Sequence, residues 1–438
     1  MEPYSGYKGK ISELEEIASE FKFERLTDDL KNNWEAAVKA YPGPDKPLFF
    51  LEDEFIEKLM ETFSFLKEIE DKFREAAKTA RENERIRIIA WLWYHTAYVT
   101  KDLSSIYAWP NLSKVMGELE GMIPLLVLFT GYENMFKVFD ERNLPENIRA
   151  ANYGGVEMVF REFKDKYKEA GRGNRNLAWA VRYFQGVLYY IGRLQYEFLN
   201  NQRRILVYRS RKTDKTMCLL EGGQAFTADG QYPDPDRGDK EGAWTSEYYE
   251  DDRYIYGNPV SPEAYALNKK VRLDKSEWEL VLKRGDPGLI IHIPGGRKLD
   301  KDEVKQSFLD AVEFFDTYFP DYKWKAIICT TWFLDRRVRQ FLKSGSNILN
   351  FQDSFYLVPV PPSSVSGVYR FLFQTDICDP RELKAVTQFQ QDIKDYLIKG
   401  GKIEVGTGFL LRGDIIKGPG YYKDSFMDTL KSVEIPDN

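Results

Sequence analysis

Two strongly apolar runs, separated by one amphipathic segment, constrain the fold of this chain more than any other feature. Residues 288–293 read GLIIHI and residues 325–333 read KAIICTTWF. Between them, apolar residues recur at helical spacing after Asp300, and Glu303 three residues further on completes the pattern of a capped helix start. Runs this apolar are typical of strands that are buried on both faces of a sheet. Strand, helix and strand in this order predict a right-handed parallel βαβ unit.

The first 200 residues carry a different, helical pattern. Residues 53–81 and 84–101 place apolar side chains every three or four positions, as amphipathic helices do. Residues 176–200 have the broadest apolar face and predict one long helix, on which Arg193 and Glu197 stand four residues apart and can pair. His95 lies in an aromatic helical segment and is predicted to pack there. We expect no strand before Ile205.

Strand patterns begin after that position. Residues 205–209 and 216–221 alternate between apolar and polar and predict a β-hairpin. Residues 222–262 are rich in Gly, Asp, Pro and Tyr and predict a long connection, either a functional lid or an ordinary surface loop. Residues 355–360 and 368–374 predict a second pair of strands. A helix at 380–399 and a strand at 402–411 complete the α/β pattern.

These patterns divide the chain into four predicted segments. They are a helical N-terminal domain at 1–200, a β-hairpin with a long connecting loop at 201–262, an α/β domain at 263–417 and a tail at 418–438. The fold class is therefore α+β or α/β, with helices first and a mixed sheet second.

Composition excludes several classes of protein. The chain has 438 residues, of which 43 % are hydrophobic, enough for two or three folded domains. The net charge of -6 and the lack of a long basic stripe argue against nucleic-acid binding. No apolar run approaches the ~20 residues of a membrane span, and the first ten residues lack a secretory apolar segment. We expect a cytoplasmic protein that is not bound to a membrane.

The three cysteines, Cys218, Cys329 and Cys378, are widely spaced. Their number and spacing argue against a disulfide framework and against a zinc cluster, so we expect a reducing compartment and no metal. Cys329 lies inside an apolar run, where a cysteine usually behaves as a small hydrophobic residue rather than a nucleophile.

Several segments, taken in order, resemble a bacterial family known as acyltransferase domain-containing protein. Its members combine an N-acyltransferase N-terminal domain with a GNAT-like C-terminal domain. The resemblance extends over roughly residues 150–415. It rests on residues 192–197 (GRLQYE), 257–260 (GNPV), 291–296 (IHIPGG), 329–335 (CTTWFLD) and 346–352 (SNILNFQ).

The resemblance implies a GNAT-like C-terminal domain that moves an acyl group from acyl-CoA, acetyl-CoA or longer, to a small-molecule amine. In such enzymes a strand and the following helix grip the pyrophosphate of the cofactor. The matching loop implies a cofactor-binding set of Ile293, Gly295, Gly296, Arg297 and Lys298. The loop departs from the usual glycine pattern of the family, and the acidic residues after it would repel phosphate. A glycine turn followed by a capped helix is therefore the alternative.

The remaining candidate residues surround the two apolar runs. His292 ends the first run and titrates in the range of a general base, although a structural histidine is the alternative. Asp335 is a candidate to orient the amine, or else it caps the next helix. Tyr356 is a candidate acid for the thiolate, as is Tyr369. Candidate substrate contacts are Trp332, Asn347 and Gln352.

Two other functions compete with acyl transfer. One is a catalytically inactive GNAT-like scaffold that binds a small ligand or a protein partner. The other is a hydrolase that uses His292 with a carboxylate, which ranks last because the sequence lacks a Gly-x-Ser-x-Gly nucleophile motif. The sequence does not specify the acyl group, the acceptor or the oligomeric state.

Overall fold

The computed structural model describes residues 6–23, 26–101, 106, 109–167, 174–234, 242–363, 366–375 and 379–435, with the side chains of 162–167, 174–177 and 366 excepted. Contacts divide the chain into two compact units, Met1–Tyr190 and Ile191–Asn438. Each unit is described in turn.

The first unit is helical. Its α-helices are α1 (Ile11–Glu20), α2 (Asp28–Ala40), α3 (Asp53–Thr62), α4 (Glu70–Glu82), α5 (Glu84–Tyr94), α6 (Ser113–Met116), α7 (Met122–Phe129), α8 (Tyr132–Glu141), α9 (Glu146–Tyr167) and α10 (Asn174–Phe184). Short 3₁₀ helices lie at Phe49–Leu51, Ser64–Ile69 and Gly117–Leu119, and one π-helical turn lies at His95–Val99.

Aromatic packing forms the core of this unit. Phe63 is fully buried, and its ring lies 5.2–6.4 Å from six others, measured between centroids. The partners are Phe65, Phe129, Tyr132, Phe136, Tyr153 and Phe184. Such clusters contribute both buried apolar area and favourable edge-to-face contacts. His95 is buried as predicted, and burial lowers its pKa.

One stretch of the described residues, Met122–Glu141, has the length and apolar composition that a membrane-crossing helix needs. Within the fold it is broken into α7 and α8 at Thr130 and Gly131. Two thirds of its most apolar window, 67 %, is buried inside the unit, which is the burial of a core helix.

The second unit is built on a six-stranded sheet. Its order is β1–β2–β13–β14–β16–β15, with β1 at Leu188–Ile191, where the division between the units falls, β2 at Leu194–Asn200, β13 at Pro287–His292, β14 at Ala326–Thr331, β15 at Tyr356–Val358 and β16 at Gly406–Leu411. Strands β13 and β14 are parallel, and the ladders β2–β13, β14–β16 and β15–β16 are antiparallel.

Smaller sheets complete this unit. One has the order β10–β9–β4–β3–β12 and another β17–β11–β8–β7, and β5 pairs with β6. The strands are β3 (Ile205–Ser210), β4 (Thr216–Leu220), β5 (Ala225–Phe226), β6 (Trp244–Thr245), β7 (Tyr248–Glu250), β8 (Tyr254–Gly257), β9 (Pro259–Ser261), β10 (Tyr265–Ala266), β11 (Lys270–Asp274), β12 (Trp278–Lys283) and β17 (Glu434–Ile435).

The described residues of the second unit form five α-helices. They are α11 (Lys301–Tyr318), α12 (Asn347–Asp353), α13 (Ser366–Leu372), α14 (Gln388–Ile398) and α15 (Tyr421–Val433). Short 3₁₀ helices lie at Trp332–Leu334, Arg336–Phe341, Pro380–Glu382 and Arg412–Lys417. The α+β class, the first hairpin and the βαβ unit β13–α11–β14 are confirmed.

The long helix predicted over residues 176–200 is wrong beyond Phe184. Strands β1 and β2 replace its second half, joined by a tight turn at Gly192 with φ of +61°. Leu194 and Phe198 lie four residues apart, and residues so spaced share one face in a strand as well as in a helix. Their spacing therefore did not distinguish the two structures. The predicted pairing of Arg193 with Glu197 across one turn of that helix is therefore wrong as well.

Three further predictions are wrong. The predicted loop at 222–262 contains the short strands β5 to β9 within its described residues. The many Gly and Asp residues led to the loop prediction, although the tyrosines between them are typical of strands. The predicted strand at 368–374 is mostly helix α13. The predicted tail contains helix α15, whose Tyr422, Phe426 and Leu430 recur every four residues and are buried.

A buried carboxylate fastens α15 to the rest of the unit. The side chain of Asp414 is 1 % exposed, and its Oδ2 accepts from Arg209 at 2.5 Å and from the hydroxyl of Tyr422 at 2.9 Å. Its Oδ1 lies 2.9 Å from Nζ of Lys417. A buried charge is tolerated when its partners surround it, as they do here.

Asp414→Asn is expected to loosen α15, because Arg209 and Lys417 would lose their buried counter-charge. The free energy of unfolding should fall by about 3 kcal/mol, and hydrogen exchange of residues 421–433 should accelerate. Asp428→Asn, on the exposed face of the same helix, is the control and should change neither quantity. Equal exchange rates in the two variants would show that Asp414 does not hold the helix.

Candidate active site

The candidate site lies where two central strands separate. The parallel ladder joins Gly288–Ile291 of β13 to Ala326–Cys329 of β14 and stops there. Strand β14 continues through Thr330 and Thr331, which pair with β16 on its other side. Because β13 ends at His292, the sheet opens at the carboxyl ends of both strands. In open α/β sheets, this end of the strands is where ligands bind.

Helix α11 covers one face of the sheet at this opening. The hydroxyl of Tyr196 lies 2.9 Å from Oγ of Ser307 on that helix, and the rings of Phe198 and Phe315 lie 5.2 Å apart. Side chains alternate between the faces of a strand. Gln195 and Glu197, which flank Tyr196 in β2, therefore point to the opposite face.

The same alternation places the polar residues of the opening on that opposite face. His292 stands directly across from Gln195 in the β2–β13 ladder, and facing residues share a face. Ile291 pairs with Cys329, so the next residue of each strand, His292 and Thr330, also share it. The face away from α11 thus carries His292, Glu197 and Thr330 around the opening.

His292 and Glu197 form a histidine–carboxylate pair. Nε2 of His292 lies 2.8 Å from Oε2 of Glu197. The two side chains are 25 % and 13 % exposed, so the pair is largely shielded but not sealed. When the ring is neutral, Nε2 donates to the carboxylate and Nδ1 is the basic nitrogen.

Arg203 contacts the β14 side of the opening. Its Nη2 donates to Oγ1 of Thr330 at 3.3 Å, and that hydroxyl lies 2.9 Å from Oγ1 of Thr407 on β16. Sequence reasoning missed this residue, because an Arg-Arg pair at the start of a hairpin has the pattern of solvated charge. Arg203 stands three residues after the end of β2, and β2 itself was not predicted.

The loop at residues 294–299 links His292 to α11. Gly295, Gly296, Arg297 and Lys298 are all exposed. Gly296 has φ of +80° and open space around it, a conformation that favours glycine. Among the described residues, none accepts a hydrogen bond from the backbone N–H groups of Gly295, Gly296 and Arg297.

A buried arginine holds this loop from beneath. Arg193 is 2 % exposed, and its Nε and Nη2 donate to the carbonyl oxygens of Lys298 and Arg297, each at 2.8 Å. The loop's carbonyl groups are thus directed toward the protein. This anchoring preorganises the loop without using its N–H groups.

The start of α11 is capped from within. Asp300 accepts from the N–H groups of Asp302 at 2.9 Å and Glu303 at 3.2 Å, so the predicted helix cap is confirmed. Glu303 also pairs with Arg297 at 2.9 Å on the surface. The N–H groups available to a ligand are therefore those of the loop rather than those of the first helical turn.

Two predicted catalytic residues lie in structural roles. Asp335 is buried, accepts from Nε and Nη2 of Arg337 at 2.8 and 2.6 Å, and caps the 3₁₀ helix that follows it. Tyr356 is fully buried on β15, and its hydroxyl donates to the carbonyl of Val260. Burial raises the pKa of Tyr356 well above its usual range. Neither residue is among the side chains that the strand register brings to the opening.

Two of the predicted substrate contacts, Trp332 and Gln352, are also buried in structural roles. Trp332 is buried in an apolar cluster with Val338, Val368 and neighbours. Gln352 is fully buried and donates to the carbonyl of Phe333 at 2.6 Å. Asn347 begins α12 and lines a separate cavity of about 300 Å³ beside the first turns of α11. The fold therefore brings Gln352 to the segment that carries Trp332 and Asp335, but it buries these three side chains in structural contacts.

Cys329 lies in β14 as a buried free thiol whose pKa burial raises, which confirms its prediction as a packing residue. Cys218 is likewise buried and free, and Cys378 lies outside the described residues. Within the described parts of the chain, no cluster of three His, Cys, Asp or Glu residues is arranged to hold a metal ion.

The fold defines the class of protein. A mixed sheet whose parallel central pair opens beside a glycine loop and a capped helix is the GNAT-like arrangement. The chain belongs to the family described as GNAT-like C-terminal domain, whose model matches residues 188–410, just over half of the chain. Among curated proteins, none matches the sequence.

Solved structures of acyltransferases share the fold. A mutant acyltransferase in complex with octanoyl-CoA is 16 % identical, with a TM-score of 0.60 over 91 % of this chain and 98 % of its own. An acyltransferase in complex with decanoyl-CoA and teicoplanin is 15 % identical, with the same TM-score and coverage. A third, with CoA and 10C-teicoplanin, is 15 % identical, with a TM-score of 0.59 and the same coverage.

Arg193→Met is expected to release the loop at 294–299, because the carbonyl groups of Arg297 and Lys298 would lose their buried donors. Hydrogen exchange of the loop amides and proteolysis within it should both accelerate. Arg297→Met, which removes an exposed arginine from the same loop, is the control and should have little effect. If the two variants behave alike, Arg193 does not hold the loop.

Proposed function

We propose that this chain transfers an acyl group from an acyl-CoA to the amine of a small molecule. The observation that carries the proposal is the opening between β13 and β14 with the His292–Glu197 pair on one of its faces. An acyl thioester lying in the opening would meet unpaired strand backbone on one side and a shielded base on the other.

The comparisons support this choice. The family match covers the whole six-stranded sheet except the last residue of β16, and the structural neighbours are acyltransferases whose complexes contain octanoyl-CoA, decanoyl-CoA or CoA. Two of those complexes also hold a teicoplanin. For this chain we propose the donor class that these complexes share, acyl-CoA, and a small-molecule amine as the acceptor.

The proposed mechanism is direct attack. The amine nitrogen attacks the thioester carbonyl, a C–N bond forms and the C–S bond breaks. Nδ1 of His292 takes the proton that the amine loses, and Glu197 stabilises the resulting imidazolium. The CoA thiolate leaves and takes a proton from solvent or from the imidazolium, which restores the base. Backbone N–H groups at the strand ends would polarise the thioester carbonyl.

The loop at 294–299 fits a pyrophosphate. Its three N–H groups at Gly295, Gly296 and Arg297 are exposed, and successive backbone N–H groups in a turn form a concave anion site. The open space around Gly296 allows close approach. Ile293 and Lys298 flank this site, and Arg297 can exchange its surface pairing with Glu303 for a phosphate, since exposed ion pairs are weak.

We also infer a bacterial protein of the cytoplasm. The resemblance is to a bacterial family, and the two described cysteines are unpaired thiols, which fits a reducing compartment.

Gly296→Glu should abolish binding of octanoyl-CoA, because a carboxylate at this position would repel the pyrophosphate and occupy its space. Isothermal titration measures the dissociation constant, which should lie in the micromolar range for the unchanged protein. Gly285→Glu is a matched control: Gly285 also has a positive φ, +86°, and open space around it, but it lies at the other end of β13.

If neither acetyl-CoA nor octanoyl-CoA binds the unchanged protein at millimolar concentration, the acyltransferase proposal is wrong. If Gly285→Glu weakens binding as much as Gly296→Glu, the cofactor is not held by this loop.

His292→Gln should lower kcat by about 10²- to 10⁴-fold, as expected for loss of a general base, with little change in acyl-CoA affinity. Glu197→Gln should lower kcat less, because the base remains but its imidazolium is less stabilised. Release of CoA thiol in the presence of an amine panel measures both. A His292→Gln variant with normal kcat would remove His292 from the mechanism.

A further inference from the structure

We propose that the acceptor is an amine that also carries a carboxylate, and that Arg203 binds this carboxylate at the opening. The inference rests on the proposed function, since it assigns a chemical class to the acceptor of that reaction.

Among the residues that the structure describes, no carboxylate pairs with the guanidinium of Arg203. Among the described residues, its side chain makes one hydrogen bond, to the neutral hydroxyl of Thr330 at 3.3 Å. No described carboxylate lies within ion-pair distance of its guanidinium. Arginine has five N–H donors in a planar fork. None of the unpaired donors is sealed from solvent, so they remain available to a ligand.

The environment of Arg203 is unusual for an unpaired cation. Burial lowers the pKa of Arg203, and the nearby Tyr232 offsets part of this effect. The charged form thus loses hydration, and among the described residues no carboxylate pairs with it. Arg204, the next residue, instead pairs with Glu221 at 3.2 Å on the surface. A half-buried charge without a partner is costly, and binding an anion would relieve that cost.

The position of Arg203 assigns the anion to the acceptor. Its contact, Thr330, occupies the place on β14 that His292 occupies on β13, and both point to the face away from α11. The pyrophosphate loop follows β13 and leads into α11. An amine held near His292 therefore has Arg203 across the opening, within reach of a group attached to the same molecule.

A carboxylate fits this site better than a phosphate. A single guanidinium matches one negative charge in a bidentate pair, whereas phosphate sites usually combine several cations or a run of backbone N–H groups. The neighbouring cation is already paired with Glu221. The acceptor class that this geometry favours is an amino acid or a molecule with an amino-acid-like end.

The test compares amines that differ only in the carboxylate. Binding of α-, β- and ω-amino acids, each beside the amine that lacks its carboxylate, is measured by saturation-transfer NMR with the protein saturated with CoA. We expect at least one acid to bind about 10- to 100-fold more tightly than its matched amine, the gain typical of charged hydrogen bonds. Arg203→Met should remove this difference.

Arg204→Met is the matched control, since it removes the same charge one residue away and should leave the preference intact. Arg203→Lys should retain only part of it, because lysine lacks the bidentate fork. The proposal is overturned if no acid binds better than its matched amine, or if Arg203→Met weakens CoA binding while leaving the acids unchanged.

Binding and turnover separate the two proposals. CoA thiol release from octanoyl-CoA is measured on the same panel. Carboxylate-dependent binding without thiol release under any condition would contradict acyl transfer but keep the Arg203 site. Thiol release that is equal for acids and matched amines would support acyl transfer and overturn the Arg203 site.

Discussion

The early end of the β13–β14 ladder is the constraint on which the site depends. The ladder ends one residue before β13 itself ends at His292. Here pairing stops at Ile291 and Cys329, while β14 stays in the sheet through its ladder with β16. Beyond this pair, each strand end is held in the sheet from its outer side, β13 by β2 and β14 by β16.

At this end of the strands, the two faces of the sheet also carry different kinds of side chain. The face toward α11 is apolar and aromatic, with Tyr196, Phe198 and Phe315 packed together. The opposite face carries an imidazole, a carboxylate, hydroxyl groups and a guanidinium around one opening. Alternation along the strands is sufficient to produce this separation. His292, the base in the proposed mechanism, lies on this polar face.

The sequence predicted those parts of the fold whose signals are local. The two apolar runs and the capped helix between them identified β13, α11 and β14, and the position of His292 at the end of a buried strand followed directly. Strand β2 was missed because Leu194 and Phe198 fit both helical and strand periodicity. With β2 taken for a helix, Glu197 was assigned to Arg193 rather than to His292.

The functional partners depend on contacts that no local spacing encodes. His292 and Glu197 are 95 residues apart in the chain, and Arg203 and Thr330 are 127 apart. Asp335, Trp332, Asn347 and Gln352 were grouped because they are near in sequence to the second apolar run. The fold uses Asp335, Trp332 and Gln352 for packing and capping instead. Strand register, which determines facing residues, is the information that the sequence lacked.

The most direct test of this account is the structure of the protein with an unreactive thioether analogue of octanoyl-CoA. We expect the sulfur to lie in the opening beyond the Ile291–Cys329 pair, between His292 and Thr330, with the pyrophosphate at the N–H groups of Gly295–Arg297 and His292 on the acceptor side. An analogue bound only in the cavity beside α11 and α12, with the opening unoccupied, would contradict the central claim.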